Sequence, residues 1–424
     1  MYCGGQGIYL YYLARELKNM GHEMKIISGP PYPDAVAGSE MHYFPSSSSW
    51  LSSPNGTTGV DNTYCSWPSK NLAPKAAPSP PSFIYAPLVN FYERLTTKRG
   101  IFSEPSAFSI RAYEYIKTML KQGQKFDIIH DNQSLGWGLL LMKRLNIPVV
   151  TTIHHPITVD KRIDIASTKG FRQKWAHKKF YYFAHMQSWV SKRLPMVVTV
   201  SQYSSQNITH EFGVSPHKIR VVYNGVDATI FRPKPVPKKR GRLIMVGNTS
   251  HRMKGVLFLL KALKLLREEG KEVTLTCVDE VDDEEEYAPK LVRELGLERA
   301  VSFSGRVTPQ ELSDLYSEAE IAVVASLHEG FGLPAVEAMA CGLPVVATTA
   351  GALPEIVEDG RTGILVPPGD YHNLALAVSQ LLQEEGLRQS MGREGLKRVK
   401  DCFNWQEAAK NTVSAYQEVI DAYH

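Results

Sequence analysis

Short apolar runs separated by helix-patterned stretches recur in two series along this chain, and that alternation limits its fold more than any other feature. Near the start, Ile8, Leu10, Tyr11, Leu13, Ala14 and Leu17 recur at helical spacing, and Gly21-His22 closes the helix ahead of an apolar run over 24–28. A helix over 108–121, a strand at 127–130, a helix over 135–145 and a strand at 149–153 follow, with further strands at 197–200 and 219–222. Strands that alternate with helices pair in parallel, because a parallel neighbour needs a crossover long enough to hold a helix.

A stretch with three prolines and five basic residues, 231–240, reads as a linker. Beyond it the second series places strands at 243–246, 273–278, 301–304, 321–325 and 344–347, with helices over 255–268, 289–295, 309–318 and 334–340. A chain of 424 residues exceeds what one core usually serves. The expectation is therefore two doubly wound α/β domains, 1–227 and 228–404, and a closing amphipathic helix over 405–424 that packs back on the first. Residues 46–82, rich in Ser and Pro, follow neither period and read as an irregular excursion.

The net charge of +5 hides an asymmetry: residues 1–227 carry 25 Lys and Arg against 14 Asp and Glu, and residues 228–424 carry 23 against 29. A basic half attracts an anionic partner such as a nucleotide, a phosphorylated acceptor or a phospholipid surface. Nucleic acid is disfavoured, because zinc-finger spacing and long basic runs are missing. With no apolar run of membrane-spanning length and no secretory leader pattern, the expected location is the cytoplasm. In that setting the five cysteines are free thiols, and the acceptor patterns Asn132-Gln133-Ser134 and Asn207-Ile208-Thr209 carry no meaning. Lys169 to Arg193 holds seven basic and no acidic residues with Phe171, Trp175, Phe180, Tyr181, Tyr182, Phe183 and Trp189 interleaved, which suits either a helix on an anionic membrane or aromatics filling the first core.

The richest chemistry lies in Ser326-Leu327-His328-Glu329-Gly330-Phe331-Gly332-Leu333-Pro334-Ala335-Val336-Glu337, directly after an apolar strand, at the edge where open α/β sheets bind ligands. Pro334 and Gly342 bracket a helix, Gly330 and Gly332 allow close backbone approach, and the helix start favours phosphate oxygens. Carboxylates beside a phosphate site make sense as acceptors for sugar hydroxyls, one on a transferred sugar and one on a ribose.

This segment resembles the E-x7-E motif of the retaining glycosyltransferases of family 4, which have the GT-B fold of two Rossmann-like domains facing a cleft. The similarity continues through Val345-Val346-Ala347-Thr348-Thr349-Ala350-Gly351-Ala352-Leu353-Pro354-Glu355 and Gly360-Arg361-Thr362-Gly363. It implies a sugar transferred from a nucleotide-sugar donor in the second domain to a hydroxyl acceptor, anionic or lipid-linked among the options, with no cofactor and no metal. It assigns Glu329 and His154 to the transferred sugar and Glu337 to the ribose. Gly330, Phe331, Gly332 and Leu333 fall to the donor diphosphate, with Lys254 and, where the family's arginine is replaced by Asn248, Arg252. Arg306 and Val307 would flank the nucleobase, and Gly4-Gly5-Gln6-Gly7 resembles the glycine-rich loop ahead of the first helix, with Gly5 near the donor. Tyr223-Asn224-Gly225-Val226-Asp227 is expected to be architectural. The family's apolar first strand, which precedes that loop, has no counterpart ahead of Gly4. Two other readings stay open: a nucleotide-sugar epimerase on the same fold, and a sugar-nucleotide-binding protein without turnover.

Overall fold

The computed structural model of the chain describes residues 4–29, 39–43, 86–168, 170–279, 281 and 286–423. The irregular excursion expected over 46–82 lies outside them, as do Cys3, Cys65 and most of the acidic run after Asp279. Two compact units form: one of residues 1–200, 204–222 and 409–424, the other of 201–203 and 223–408. The closing helix, Trp405–Tyr423, thus contributes its residues from Ala409 onward to the first unit.

In the first unit β1 (Lys25–Ser28) pairs with β2 (Glu40–Tyr43). A separate parallel sheet runs in the order β3 (Ile129–Asn132), β4 (Val149–Ile153), β5 (Met196–Thr199), β6 (Ile219–Val221). Among the described residues no strand joins the two pieces. β4 is buried at all five positions, as a strand covered on both faces must be, and its Val149 and Ile153 share a core with Leu139, Val190, Val197 and Phe212.

Several expectations here need correction. Gly4-Gly5-Gln6-Gly7 is not a loop before a helix but the first turn of the helix Gly4–Asn19. The helix expected over 135–145 shrinks to Gly138–Met142 with a 3-10 turn at Lys143–Leu145, because Gln133 and Leu135 take left-handed backbone that a helix cannot continue. The basic aromatic stretch is two helices, Phe171–Phe180 and Phe183–Ser191. Its aromatics divide: Tyr181 and Phe183 are buried, whereas Phe171, Trp175, Tyr182 and Trp189 are exposed.

The second unit carries a six-stranded parallel sheet of β7 (Arg242–Val246), β8 (Thr274–Val278), β9 (Val301–Phe303), β10 (Ile321–Val324), β11 (Val345–Thr348) and β12 (Gly363–Val366). Its order is β12-β11-β10-β7-β8-β9. The chain winds outward from β7 through β9, then returns to lay β10 on the other side of β7, so the carboxyl ends of β7 and β10 bound the switch point where open sheets hold ligands. The helix Val256–Glu268 seals one face by burying Val256, Leu259, Leu260, Leu263 and Leu266. Burial of each leucine is worth about 2 kcal/mol. The segment expected to be architectural is so: Val226 bridges Asn404, and a Cβ on Gly225 would lie 2.2 Å from the Trp405 nitrogen.

Candidate active site

Two loops leave the switch point of the second unit and are tied together. The first follows β7 from Gly247 to Gly255. Asn248 turns it by accepting hydrogen bonds from the backbone N–H groups of Ser250 and His251 at 2.9 and 3.1 Å. Asp279, at the end of β8, accepts from the Thr249 amide at 2.6 Å and its hydroxyl at 2.8 Å, and Glu286 accepts from the Ser250 hydroxyl at 2.8 Å. The two ends of the acidic run are therefore braces for this loop. Gly255 has φ +69°, and a Cβ there would sit 1.8 Å from the Ala325 carbonyl oxygen, which brings the loop against the end of β10.

The second loop, 326–332, lies alongside: the Leu327 N–H donates to the Met253 oxygen at 2.7 Å. Lys254 Nζ donates to Glu329 Oε2 at 2.8 Å, and the Ser326 hydroxyl donates to the same oxygen at 3.2 Å. Burial alone would raise the Glu329 carboxyl, but the Lys254 charge, the two hydrogen bonds and His328 outweigh it and hold the group ionised below its ordinary range. Gly351, at φ +62°, presses on the Glu329 backbone, where a Cβ would lie 2.0 Å from the carbonyl oxygen, and the Ala352 N–H donates to that oxygen at 3.0 Å. Gly332, at φ +111°, then starts the helix Leu333–Ala340.

Glu337 stands one turn into that helix, and its Oε2 accepts from the Tyr316 hydroxyl at 3.2 Å. Burial pushes its carboxyl up to about 7, and the hydrogen bond from Tyr316 only partly opposes this. The two carboxylates thus differ by environment, one ionised against a lysine and one poised near neutrality. Phe331 is buried with its ring against Phe403 and Tyr223, so its backbone is what it can offer a ligand. Arg252 is exposed with its guanidinium 5.2 Å from the Tyr287 ring centre. Exposed Arg306 and half-buried Val307 follow the turn at Gly305 after β9, two strands from β7 on the same edge of the sheet.

In the first unit the carboxyl ends of β3 and β4 carry a second polar cluster. His154 is buried, and its Nε2 lies 2.8 Å from Asn132 Oδ1. Its backbone N–H donates to Gln133 Oε1 at 2.7 Å, and its carbonyl accepts from the Ser204 hydroxyl at 2.9 Å. The Tyr9 ring meets the imidazole edge-on at 4.8 Å. Tyr9 and His130 both reach the Thr152 hydroxyl, at 2.9 and 2.7 Å, and His130 Nδ1 pairs with the Tyr416 hydroxyl of the closing helix. Burial, with His155 and His130 nearby, pushes His154 down to about 3, and burial pushes His130 down to about 4. Both imidazoles are neutral at physiological pH. Gly5 is exposed in the first turn of its helix, next to Gln6, whose carbonyl accepts from Asn132 Nδ2 at 3.2 Å.

Comparison with known proteins decides the family. A family model for glycosyl transferases group 1 matches residues 226–398, and one for glycosyltransferase family 4 matches 72–230. The MMP alpha-(1->4)-mannosyltransferase of Mycolicibacterium hassiacum is 36% identical over 425 residues, spanning 99% of this chain and 96% of its own length. The chain is a family 4 glycosyltransferase. Glycogen synthase of Mycobacterium tuberculosis is a more distant relative, 30% identical over 68% of each chain. The fold is GT-B, shared with sucrose-phosphate synthase from Thermosynechococcus elongatus at TM-score 0.69, 22% identity and coverage of 99% and 94%. It is also shared with the Anabaena protein HepE in complex with UDP-glucose, at TM-score 0.65, 18% identity and coverage of 99% and 95%.

Several residues that brace the candidate site had no role in the sequence. Asn132 and Gln133 read only as part of a glycosylation pattern, and Asp279 carried no role. Glu355 stood in the family pattern without a role, yet it accepts from the Gln202 and Tyr203 amides at 2.8 and 2.7 Å and from the Tyr223 hydroxyl at 3.1 Å. None has a signal in one sequence, because each acts on backbone groups distant along the chain. Among the described residues, no cluster of three or more His, Cys, Asp or Glu is placed to hold a metal ion, and Cys277, Cys341 and Cys402 are free thiols.

Proposed function

We propose that the glycosyltransferase moves a hexosyl group, mannosyl in the first instance, from a nucleoside-diphosphate sugar to a hydroxyl of a glycan-type acceptor with retention of anomeric configuration. The observation that carries this reading is the Lys254–Glu329 pair beside the helix start at Leu333, on the switch point of the second unit. A lysine and unpaired helix N–H groups suit a diphosphate. An ionised, partly screened carboxylate suits sugar hydroxyls, which donate to it. Mannose is the first candidate because the relative similar over nearly its whole length is a mannosyltransferase. UDP-glucose in the structural neighbour supports a nucleotide donor.

In the proposed reaction the bond from the anomeric carbon to the diphosphate oxygen breaks, and the acceptor oxygen bonds to the same face of that carbon. The acceptor proton passes to a phosphate oxygen of the leaving group. Lys254, with Arg252 and the N–H groups near Leu333, stabilises the charge that builds on the diphosphate. Glu329 orients the sugar, Glu337 accepts from the ribose, Arg306 and Val307 flank the base, and the resemblance assigns His154 to the sugar as well.

The test is a panel of labelled nucleoside-diphosphate hexoses offered with and without oligosaccharide acceptors. Transfer or slow donor hydrolysis supports the reading, whereas epimer formation, or binding without turnover, refutes it. The Glu329→Gln variant should fold normally and lose about 100-fold in kcat, a size usual for removing one preorganised group. An unchanged rate would remove Glu329 from the site.

A further inference from the structure

The cluster on β3 and β4 determines which nitrogen of His154 carries the proton. The Gln6 carbonyl can only accept, so the Asn132 atom 3.2 Å from it is the amide nitrogen. That orientation turns Asn132 Oδ1 toward His154, where, 2.8 Å from Nε2, it too can only accept. Nε2 therefore holds the hydrogen, and Nδ1 is left with its lone pair. Among the described residues Nδ1 has no hydrogen-bond partner. The adjacent residue holds the backbone: Gln133 Oε1 accepts from the His154 amide at 2.7 Å, and Gln133 Nε2 donates to the His155 carbonyl at 2.9 Å. Gln133 does so from φ +60°, a left-handed conformation that costs a non-glycine residue free energy and persists where surrounding bonds hold it.

We propose that Asn132 is a positioning residue which holds His154 as the Nε2–H tautomer, with Gln133 fixing its backbone, so that Nδ1 meets the substrate as a hydrogen-bond acceptor. The group it recognises is then a donor, a sugar hydroxyl, and not a phosphate or carboxylate, which would need a protonated ring. This rests on the reading that His154 addresses the sugar. Neutrality of the ring, held by burial beside two other histidines, keeps the acceptor in place through the physiological range. A histidine with Nδ1 protonated would instead donate, and would orient the same hydroxyl in the opposite sense.

The experiment uses the full chain with 15N-labelled histidine, long-range imidazole correlation spectra at neutral pH, and His154→Gln to assign His154 among the 13 histidines. The wild-type spectrum should show a pyrrole-type Nε2 and a pyridine-type Nδ1. In Asn132→Ala both nitrogens should move toward averaged values, with kcat falling about 10-fold and KM nearly unchanged, as for one lost hydrogen bond acting through another group. Asn132→Asp keeps an acceptor at Nε2 and should keep the tautomer, while its charge moves the acid limb of the pH–rate profile upward. A pyrrole-type Nδ1 in the wild type, or a wild-type spectrum in a folded Asn132→Ala variant, would overturn the proposal. A changed spectrum with unchanged turnover would leave tautomer control standing and overturn the sugar-side role of His154. Melting curves of the variants separate either result from misfolding.

Discussion

Glu329 and Glu337 lie eight residues apart on one loop and helix, and their surroundings give them opposite protonation behaviour. Glu329 faces Lys254 and stays ionised, whereas Glu337 faces a tyrosine hydroxyl and is pushed up to about 7. In the proposed donor site the ribose hydroxyls donate to Glu337, so they should bind its ionised form better. Donor affinity should therefore rise as pH increases through about 7 and level off above it, and Glu337→Gln should flatten that profile. Titration calorimetry with a nucleoside diphosphate from pH 6 to 8.5 reads this directly. A steeper backbone constraint lies at Gly255, where a methyl group would meet the Ala325 oxygen at 1.8 Å on left-handed backbone. Gly255→Ala should cost roughly 2–4 kcal/mol by the combined strain and clash, visible as a lowered denaturant midpoint. Neither effect follows from residue type, since the spacing of the glutamates says nothing about which one meets a lysine.

Among the elements, those of the second unit were the most legible. Its central strands β10 and β11 are buried at every position, and parallel strands buried on both faces advertise themselves as continuous Val, Ile and Leu runs. The missed elements have weaker signals. β2 (Glu-Met-His-Tyr) has no apolar run, β12 (Gly-Ile-Leu-Val) is a four-residue edge strand with half-buried middle positions, and the helix Ala86–Lys98 turns apolar residues outward, as does Phe171–Phe180 within the stretch expected to be a basic aromatic helix. On Ala86–Lys98, Leu88, Phe91, Tyr92 and Leu95 form an exposed stripe at helical spacing, and on Phe171–Phe180 Lys179 lies 3.5 Å over the Trp175 ring. Phe102, just past the first of these helices, packs on Phe180 and Phe183, so the two exposed sets belong to neighbouring elements. We propose that these exposed side chains, with Arg172, Lys174, Lys178 and Lys179 on the second helix, contact an anionic lipid surface. Flotation with phosphatidylglycerol vesicles should retain the enzyme at low salt and release it as salt is raised, and Phe171→Glu with Trp175→Glu should abolish retention. Equal behaviour with neutral vesicles would refute the electrostatic part.

On the scale of the whole molecule, a nucleoside diphosphate that binds the native state should raise the melting temperature with the logarithm of its concentration, by about 2.7 kcal/mol of stability at 100 times its dissociation constant. Thermal scans across bases would name the preferred nucleotide, and no shift with any of them would contradict a donor site. Stability should also fall as pH drops below about 6.5, because His130 and His154 are buried neutral with depressed values and the unfolded chain takes up their protons first. Acid unfolding curves followed by circular dichroism check that sign, and stability unchanged between pH 6.5 and 4 would contradict it. By itself the sequence determined the α/β class, the two alternating series of strands and helices and the loop and helix start over 326–337, because periodicity, glycine and helix-end signals act within a few residues of one another. Only the tertiary structure decided that Asp279 and Glu286 brace the loop of Lys254, that Glu355 receives the amides of Gln202 and Tyr203, and that Asn132 chooses the proton of His154. Those assignments are hydrogen bonds to backbone or ring atoms that lie far along the chain and become neighbours only when strands take their order in a sheet.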